Sequence, residues 1–333
     1  MRRNSRNVNC PSPPARSHAL GFQSPPLNPR PAAGGFVKIQ AYAKINLYLD
    51  VIGRRDDGYH NIVSVMQSLS LCDDLAITDE VVVGGIPQEQ GEVYLTCTDP
   101  TLPVDDSNLI VKAAKLLIHE YEIKQNIHIH LTKRIPVGAG LAGGSSNCAA
   151  TLRGVNELFQ LNIPKGKLME YGASLGADVP FCLTGGTALA EGIGEKITPL
   201  PHHPNCYIVV VCPNIHVATA TAYSRLDAVK NRPPGQDKTS LMTALAAQDV
   251  SQIAANFFNI FTFVTADMHP EISQIIRELK ALGALGAEMS GTGSAVFGYF
   301  GDKNKAQAAC DKITHKTFLT VAQGATPQQS EEA

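Results

Sequence analysis

The stretch Pro136-Val137-Gly138-Ala139-Gly140-Leu141-Ala142-Gly143-Gly144-Ser145-Ser146-Asn147 constrains this chain more than any other. Four of the seven residues from 138 to 144 are glycine, so the backbone can turn tightly and bring its N–H groups against a ligand. Before it, Ile127, Ile129 and Leu131 alternate with His128, His130 and Thr132, the period of a half-buried strand ending near Lys133-Arg134. After it, Ala149, Leu152, Val155 and Leu158 recur at helical spacing, which predicts a helix beginning at Ser145 or Ser146, whose hydroxyls suit a cap. A glycine loop joining a strand to a helix N-terminus offers phosphate oxygens a row of unpaired donors and a positive dipole end. A flexible surface turn is the competing reading, and the direct run into Ser-Ser-Asn and an amphipathic helix disfavours it.

Two familiar phosphate loops are excluded. A Walker A loop needs Lys after its last Gly, whereas Gly144 is followed by Ser145. Gly138-x-Gly140-x-x-Gly143 matches the dinucleotide pattern in letters, and Glu157 falls near the spacing of its ribose acid. Glu157 would nevertheless sit inside the following helix, not at the tip of a next strand, and the preceding strand alternates where that fold needs an apolar one.

A length of 333 residues allows one large or two medium domains, and 44% hydrophobic with 17% charged residues is ordinary for a soluble globular chain. The formal charge of -2 supplies no electrostatic reason to expect nucleic acid or an anionic membrane as partner, and no apolar run reaches the length of a bilayer span. The expected partner is a small molecule, with the protein a monomer or weak homodimer. Cys10, Cys72, Cys97, Cys148, Cys182, Cys206, Cys212 and Cys310 are scattered without a C-x-x-C pair, which reads as buried free thiols in a reducing compartment. His128 with His130, and His202 with His203, lack companion ligands at metal spacing, so no metal site is assigned. Residues 1–35 carry Arg2, Arg3, Arg6, Arg16 and Arg30, many Ser and Pro and no acid, and read as a disordered leader. It suits either a transit peptide for a plastid-type organelle or a start-site extension; the expectation is a cytoplasmic protein.

From Phe36 to Val51 the chain reads as one or two strands, with Ile45, Leu47, Leu49 and Val51 on one side and Lys44 and Asn46 on the other. By spacing alone Lys44 suits a solvated edge strand. Asp56-Asp57-Gly58-Tyr59-His60 is a polar turn presenting an aromatic beside an imidazole, ahead of a strand or helix through Ile62-Val65. Residues 107–121 predict a helix with Ser107 at its N-cap and Ile110, Ala113, Ala114 and Leu117 along one stripe. Lys165 to Leu175 predicts a short helix stopped by Gly176, and Ala177-Asp178-Val179-Pro180 follows as a turn. Gly185-Gly186 and Gly192-x-Gly194 mark turns between short strands, and Pro201-His202-His203-Pro204 marks the best domain boundary. The domains are therefore taken as 36–200 and 201–323, with a loose tail at 324–333.

In the second half, Tyr207-Val211 reads as a buried strand and Val217-Tyr223 as a loop turning into a helix. Arg232-Pro233-Pro234-Gly235 reads as an exposed loop, and Pro270 opens a helix with Ile272, Ile275, Ile276 and Leu279 on one face. Met289-Ser290-Gly291-Thr292-Gly293-Ser294-Ala295 is a second glycine loop leading into Val296-Phe300, and residues 304–313 suggest a last helix.

Three of these stretches together resemble the GHMP kinases, small-molecule kinases whose phosphate loop is Pro-x-Gly-x-Gly-Leu-x-x-Ser-Ser. The first signature resembles Ala43-Lys44-Ile45-Asn46-Leu47, the second residues 136–146 and the third residues 289–295, in the family's order. Ala142 stands where some relatives carry Gly and Cys148 where Ala is common. Both are small, so the backbone path should survive. The fold this implies is α+β in two domains, the N-terminal one like ribosomal protein S5 domain 2 and the C-terminal one ferredoxin-like.

The resemblance further implies ATP with Mg²⁺ as co-substrate and no tightly bound cofactor. Asn108, Leu109 and Lys133 would flank the adenine, and residues Pro136, Val137, Gly138, Ala139, Gly140, Leu141, Ala142, Gly143, Gly144, Ser145 and Ser146 would hold the phosphates, with Ser145 or Ser146 touching the ion. Lys44 and Asp178 would be catalytic. The block from Ala43 to Asp57-Gly58-Tyr59-His60 resembles one branch, whose substrate is a cytidine diphosphate ester of a methylated sugar alcohol, phosphorylated on a tertiary hydroxyl. There Tyr59 and Tyr223 would stack on the base, a contact of about 1–3 kcal/mol per face. His60 would meet the polar edge of the base, and Asn46 and Thr219 would touch the same substrate. The alternatives are a kinase of this family acting on another alcohol, and a non-catalytic phosphate or RNA binder; the joint presence of Lys44 and Asp178 and the lack of a basic surplus favour an enzyme.

Overall fold

The computed structural model describes residues 34–80, 91–233, 235, 237–322 and 324. The reading of residues 1–33 as a disordered leader and that of the tail from 325 onward lie outside them. In chain order the elements are β1 (Phe36–Arg54), β2 (His60–Glu80), β3 (Val93–Cys97), α1 (Leu109–Glu120), β4 (Asn126–Thr132), α2 (Gly143–Leu158), α3 (Lys165–Leu175), α4 (Val179–Thr184), β5 (Thr187–Gly192) and β6 (Lys196–Pro199). The second half adds β7 (Tyr207–Cys212), α5 (Thr219–Ala228), α6 (Lys238–Ala246), α7 (Val250–Ala255), β8 (Phe258–Asn259), α8 (Ile260–Met268), α9 (Glu271–Ala281), β9 (Gly286–Met289), β10 (Val296–Phe300), α10 (Lys303–Lys312) and β11 (Lys316–Val321).

Among the described residues the six strands of the first half, with β8 of the second, build a seven-stranded sheet of order β3-β4-β2-β1-β8, with β5 paired to β2 and β6 to β5. Its spine is the long antiparallel β1–β2 hairpin, turned at Asp57-Gly58, where Gly58 takes φ +88° and Asp57 accepts from the Tyr59 N–H at 3.1 Å. The second half forms an antiparallel sheet of order β11-β7-β10-β9. One face of the larger sheet, with Leu75, Ile77, Ile129 and Leu131, packs on Leu117, Leu152 and Val155 of the helices. On the other side Ile45, Leu47, Val65 and Leu69 meet Ile208, Val210, Phe297 and Tyr299 of the smaller sheet. Val209 and Val211 then face Leu226, Ile272, Ile275 and Leu279 beyond it. Since β7 is covered on both faces, its unbroken apolar run is what its position requires. Among the described residues no helix is long and apolar enough to cross a membrane.

Several local expectations are corrected. The N-cap of α1 is Asn108, not Ser107, because the Asn108 side chain accepts from the Ile110 N–H at 2.9 Å while the Ser107 hydroxyl is turned to Asp105. Helix α2 starts at Gly143, ahead of both serines, and neither serves as its cap: Ala142 stands at that position with φ +54°, and the Ser146 hydroxyl donates to Tyr42 O at 2.7 Å. Ile45 and Leu47 join one buried cluster, whereas Leu49 and Val51 join another, with a register shift between Asn46 and Tyr48. A β-bulge re-aims the side chains after it, so period-two reading across it fails. Strands β3 and β11 and helices α6 to α8 carry no expectation from the sequence; β3 and β11 are short, and their pairing to distant strands is what orders them.

Candidate active site

Lys44 is placed by β1 at the first register shift of that strand, between Tyr42 and Lys44, and only 4% of its surface is exposed. Its ammonium donates to Asn46 Oδ1 at 2.7 Å and to the Gly140 carbonyl at 3.1 Å, and faces Asp178 Oδ2 at 3.6 Å. Two of its protons are thus held by fixed acceptors, which aims the third towards the Asp178 side. Asp178 occupies the N-cap position of α4, but its carboxylate makes no cap bond there. It is left to face Lys44 and the open cavity, a third exposed.

Asn46 is buried, and its amide is spent on holding Lys44: Nδ2 donates to Ser64 Oγ at 2.8 Å, and Ser64 donates onward to Tyr48 O at 2.7 Å. The two glycine loops lock together at this point. Ser290 Oγ donates to the Gly140 carbonyl at 2.9 Å, and the Ala295 N–H donates to Ala139 O at 3.0 Å. Gly140 has φ +78°, and a Cβ there would stand 2.2 Å from Ser290 O, so only glycine lets the loops approach this closely. Asn259, buried at the start of α8, donates from Nδ2 to Met289 O at 2.7 Å and to Gly291 O at 2.8 Å, holding the second loop in place.

A cavity of about 520 Å³ opens between these elements. Residues 138–145 line it, with Pro136, Lys44, Asn46, Leu109, Asp178, Thr219 and Tyr223. Four residues expected at the phosphate and adenine end lie outside this lining. Asn108 caps α1 and donates to Pro103 O at 2.7 Å. Lys133 lies beneath the loop in an ion pair with Asp73 at 2.7 Å, and burial pushes its pKa below the ordinary lysine value against the pull of that carboxylate. Val137 is exposed on the far side of the loop, against a second recess lined by His216 and Lys316, and Ser146 points to Tyr42.

Tyr59 is 61% exposed at the hairpin tip. His60 covers the Tyr223 ring, with centroids 4.7 Å apart, and its Nε2 lies 2.9 Å from Asp227 Oδ1. The other neighbour of Tyr223 is Phe261, edge-on at 4.7 Å, and burial with the nearby Asp178 charge pushes its phenol up to about 12. The hairpin tip is therefore joined to α5 through His60, Tyr223 and Asp227. Of the histidines weighed as metal ligands, His128 stacks on Tyr94, His130 meets Thr96, and His203 meets Pro204 O and Tyr299.

Sequence reasoning missed Ser64, Asp73, Asp227, Asn259 and Ser290. Each is a common polar residue whose importance is its partner, and no local pattern names that partner. Only Ser290 carried a signal, its place in the second glycine loop.

The profile of the GHMP kinases N terminal domain matches residues 108–186, and that of the GHMP kinases C terminal domain matches residues 241–318. A protein of Caldicellulosiruptor bescii named 4-diphosphocytidyl-2-C-methyl-D-erythritol kinase is 42% identical over 285 residues, covering 85% of this chain and 95% of its own. This chain belongs to the GHMP kinase family. A second relative of the same name, from Clostridium botulinum strain Eklund 17B, is 43% identical over 288 residues and is covered over 99% of its length. Among solved structures, 4-(cytidine 5'-diphospho)-2C-methyl-D-erythritol kinase aligns with a TM-score of 0.72 at 30% identity, covering 86% of this chain and all of that one. The mevalonate kinase of L. major, at 16% identity and a TM-score of 0.68, shares the GHMP kinase fold.

Proposed function

We propose that this GHMP kinase transfers the γ-phosphoryl group of ATP to the C2 hydroxyl of 4-diphosphocytidyl-2-C-methyl-D-erythritol, giving the 2-phosphate and ADP in the non-mevalonate (methylerythritol phosphate) route to isoprenoids. The observation that carries it is the Lys44–Asp178 pair, 3.6 Å apart, facing a glycine loop across one cavity, in a chain about 42% identical to relatives of that name.

A tertiary hydroxyl is crowded and a poor acid. In the proposed reaction Asp178, free of other bonds, accepts its proton and orients the oxygen, an effect of about 10²–10⁴-fold. Lys44 stabilises charge developing on the transferred group. Because phosphoryl transfer runs through a loose transition state, alignment by the loop and by Lys44 outweighs proton removal. The residues present fit the ion that travels with ATP. Ser145 lines the cavity while the Ser146 hydroxyl is spent on Tyr42 O, so Ser145 is the hydroxyl that would touch Mg²⁺. When bound, the ion neutralises charge on the β- and γ-phosphates. At the acceptor end, Tyr59 and Tyr223 supply the stacking faces and His60 a polar edge; Asn46 acts through Lys44 in this reading.

ADP release by the purified protein with ATP, Mg²⁺ and a panel of 4-diphosphocytidyl-2-C-methyl-D-erythritol, mevalonate, homoserine and galactose tests the proposal. Release with the cytidyl substrate alone is expected. Release only with another alcohol would discard the acceptor assignment. In the same assay Tyr59→Ala is expected to raise KM for the cytidyl substrate about 5- to 150-fold, the worth of one stacking face, with little change in KM for ATP.

A further inference from the structure

Below the phosphate loop lies a carboxylate that the reaction does not use. Asp73, in β2, is wholly buried, and both of its oxygens are filled. Oδ1 accepts from the backbone N–H groups of Arg134, at 2.6 Å, and Ile135, at 2.8 Å. Oδ2 accepts from Lys133 Nζ at 2.7 Å and from Asn147 Nδ2 at 2.9 Å. Residues 134 and 135 enter the loop and Asn147 leaves it, so one side chain holds both ends of residues 136–146. The Lys133 ammonium, which also donates to the Ile135 carbonyl, lies under the loop's floor: a Cβ on Gly143 would stand 3.0 Å from it.

A buried ion pair is costly to desolvate and adds little net stability over an apolar filling of the same volume. What it adds is a geometry. Holding both ends of the loop removes loop freedom before ligand arrives, and a preformed row of N–H donors binds phosphate without paying that ordering cost on binding. We propose that Asp73 is a positioning residue for the phosphate loop: by clasping residues 134, 135 and 147 it sets the affinity of this GHMP kinase for the phosphates of ATP. The proposal rests on the kinase reading above, with residues 138–145, which line the cavity, taking those phosphates.

The experiment compares the full-length protein with Asp73→Asn and Asn147→Ala. Asparagine at 73 keeps an acceptor for the two backbone donors but turns an NH₂ towards Lys133 and Asn147, opening the clasp at one end. Steady-state kinetics give KM for ATP and for the alcohol, and competition gives the inhibition constants of ADP and adenosine. In Asp73→Asn, KM for ATP and the ADP constant rise about tenfold or more, the loss of a charge-assisted bond, while the adenosine constant and the alcohol KM stay within about twofold. Asn147→Ala moves the same two quantities in the same direction by about threefold, one neutral bond. An ATP KM within about twofold of the parent, in an Asp73→Asn protein whose melting curve shows it folded, overturns the proposal. Equal weakening of ADP and adenosine overturns it too, since a general loosening of the domain would do that. If Asp73→Asn does not fold, Asn147→Ala decides on the same criteria. A parent protein that binds ADP no better than adenosine would instead sink the kinase reading on which the proposal stands.

Discussion

Two lysine–aspartate pairs flank the phosphate loop, and they differ in one respect. Lys133 and Asp73 are 2.7 Å apart, with almost no surface on either side chain, and every oxygen of Asp73 is taken. Lys44 and Asp178 are 3.6 Å apart, and the carboxylate keeps about a third of its surface (32%) towards the cavity. The first pair is closed, so its charge is consumed in holding backbone; the second is open on one side, so its charge remains available to a ligand. Access therefore separates an anchoring ion pair from a chemical one.

The largest test of that contrast is removal of the open pair. Asp178→Ala and Lys44→Ala are each expected to lower turnover by about 10³-fold or more in the ADP-release assay, with Asp178→Ala still folding cooperatively because its carboxylate caps no helix and is a third exposed. A folded Asp178→Ala protein that kept its turnover would erase the distinction. Next in size is the closed pair: Asp73→Ala is expected to cost about 3–5 kcal/mol in urea unfolding, since it strands a buried ammonium and two backbone donors. A loss under about 1 kcal/mol would show that Asp73 is not buried as a charge, in the range of an exposed pair.

Gly140→Ala probes the junction of the two glycine loops beside the open pair, because Gly140 O accepts from Lys44 and a Cβ there would meet Ser290 O. Strain at φ +78° costs about 1–3 kcal/mol before the clash is counted, and both stability and turnover are expected to fall. Loss of stability with turnover intact would separate the loop contact from the placement of Lys44. The smallest effect concerns a buried titratable group with no charged partner. His203 is nearly buried, its Nδ1–H donates to Pro204 O at 2.7 Å and its Nε2 accepts from Tyr299 at 3.2 Å, and burial holds its pKa below 6.5. As pH falls below about 6.5 the unfolded chain takes up the proton first, so stability is lost down to the depressed folded value and is level below it. Urea unfolding of the parent and His203→Gln between pH 7.5 and pH 5 checks this: the variant should lack that part of the acid loss, about 1.4 kcal/mol for each pH unit of depression.

Much of the fold was legible in the chain. The apolar alternation of β4, the helical stripe of α1 and the stop of α3 at Gly176 are local properties, and the local energies that set them survive into the fold. By its spacing Lys44 suits a solvated edge strand, yet it is buried, because the phosphate loop, 96 residues further on, closes over it: the Lys44 N–H donates to Leu141 O at 3.1 Å and its ammonium to Gly140 O at 3.1 Å. The caps of α1 and α2 went one way and another for a related reason: Asp105 takes the Ser107 hydroxyl and Tyr42 takes that of Ser146, choices that depend on neighbours outside the helix.

By itself the sequence determined the phosphate loop, its placement between strand and helix, and the family, because glycine spacing, turn chemistry and hydrophobic period are written in consecutive residues. Only the tertiary structure decided that Asp178 meets Lys44, that Asn46 and Ser64 aim that lysine, that Lys133 turns under the loop to Asp73, and that His60 lies over Tyr223. Apart from the Lys44–Asn46 contact, between residues two apart, each of those is a pairing of residues separated along the chain, fixed by which groups are desolvated together, and desolvation is a property of the packed whole.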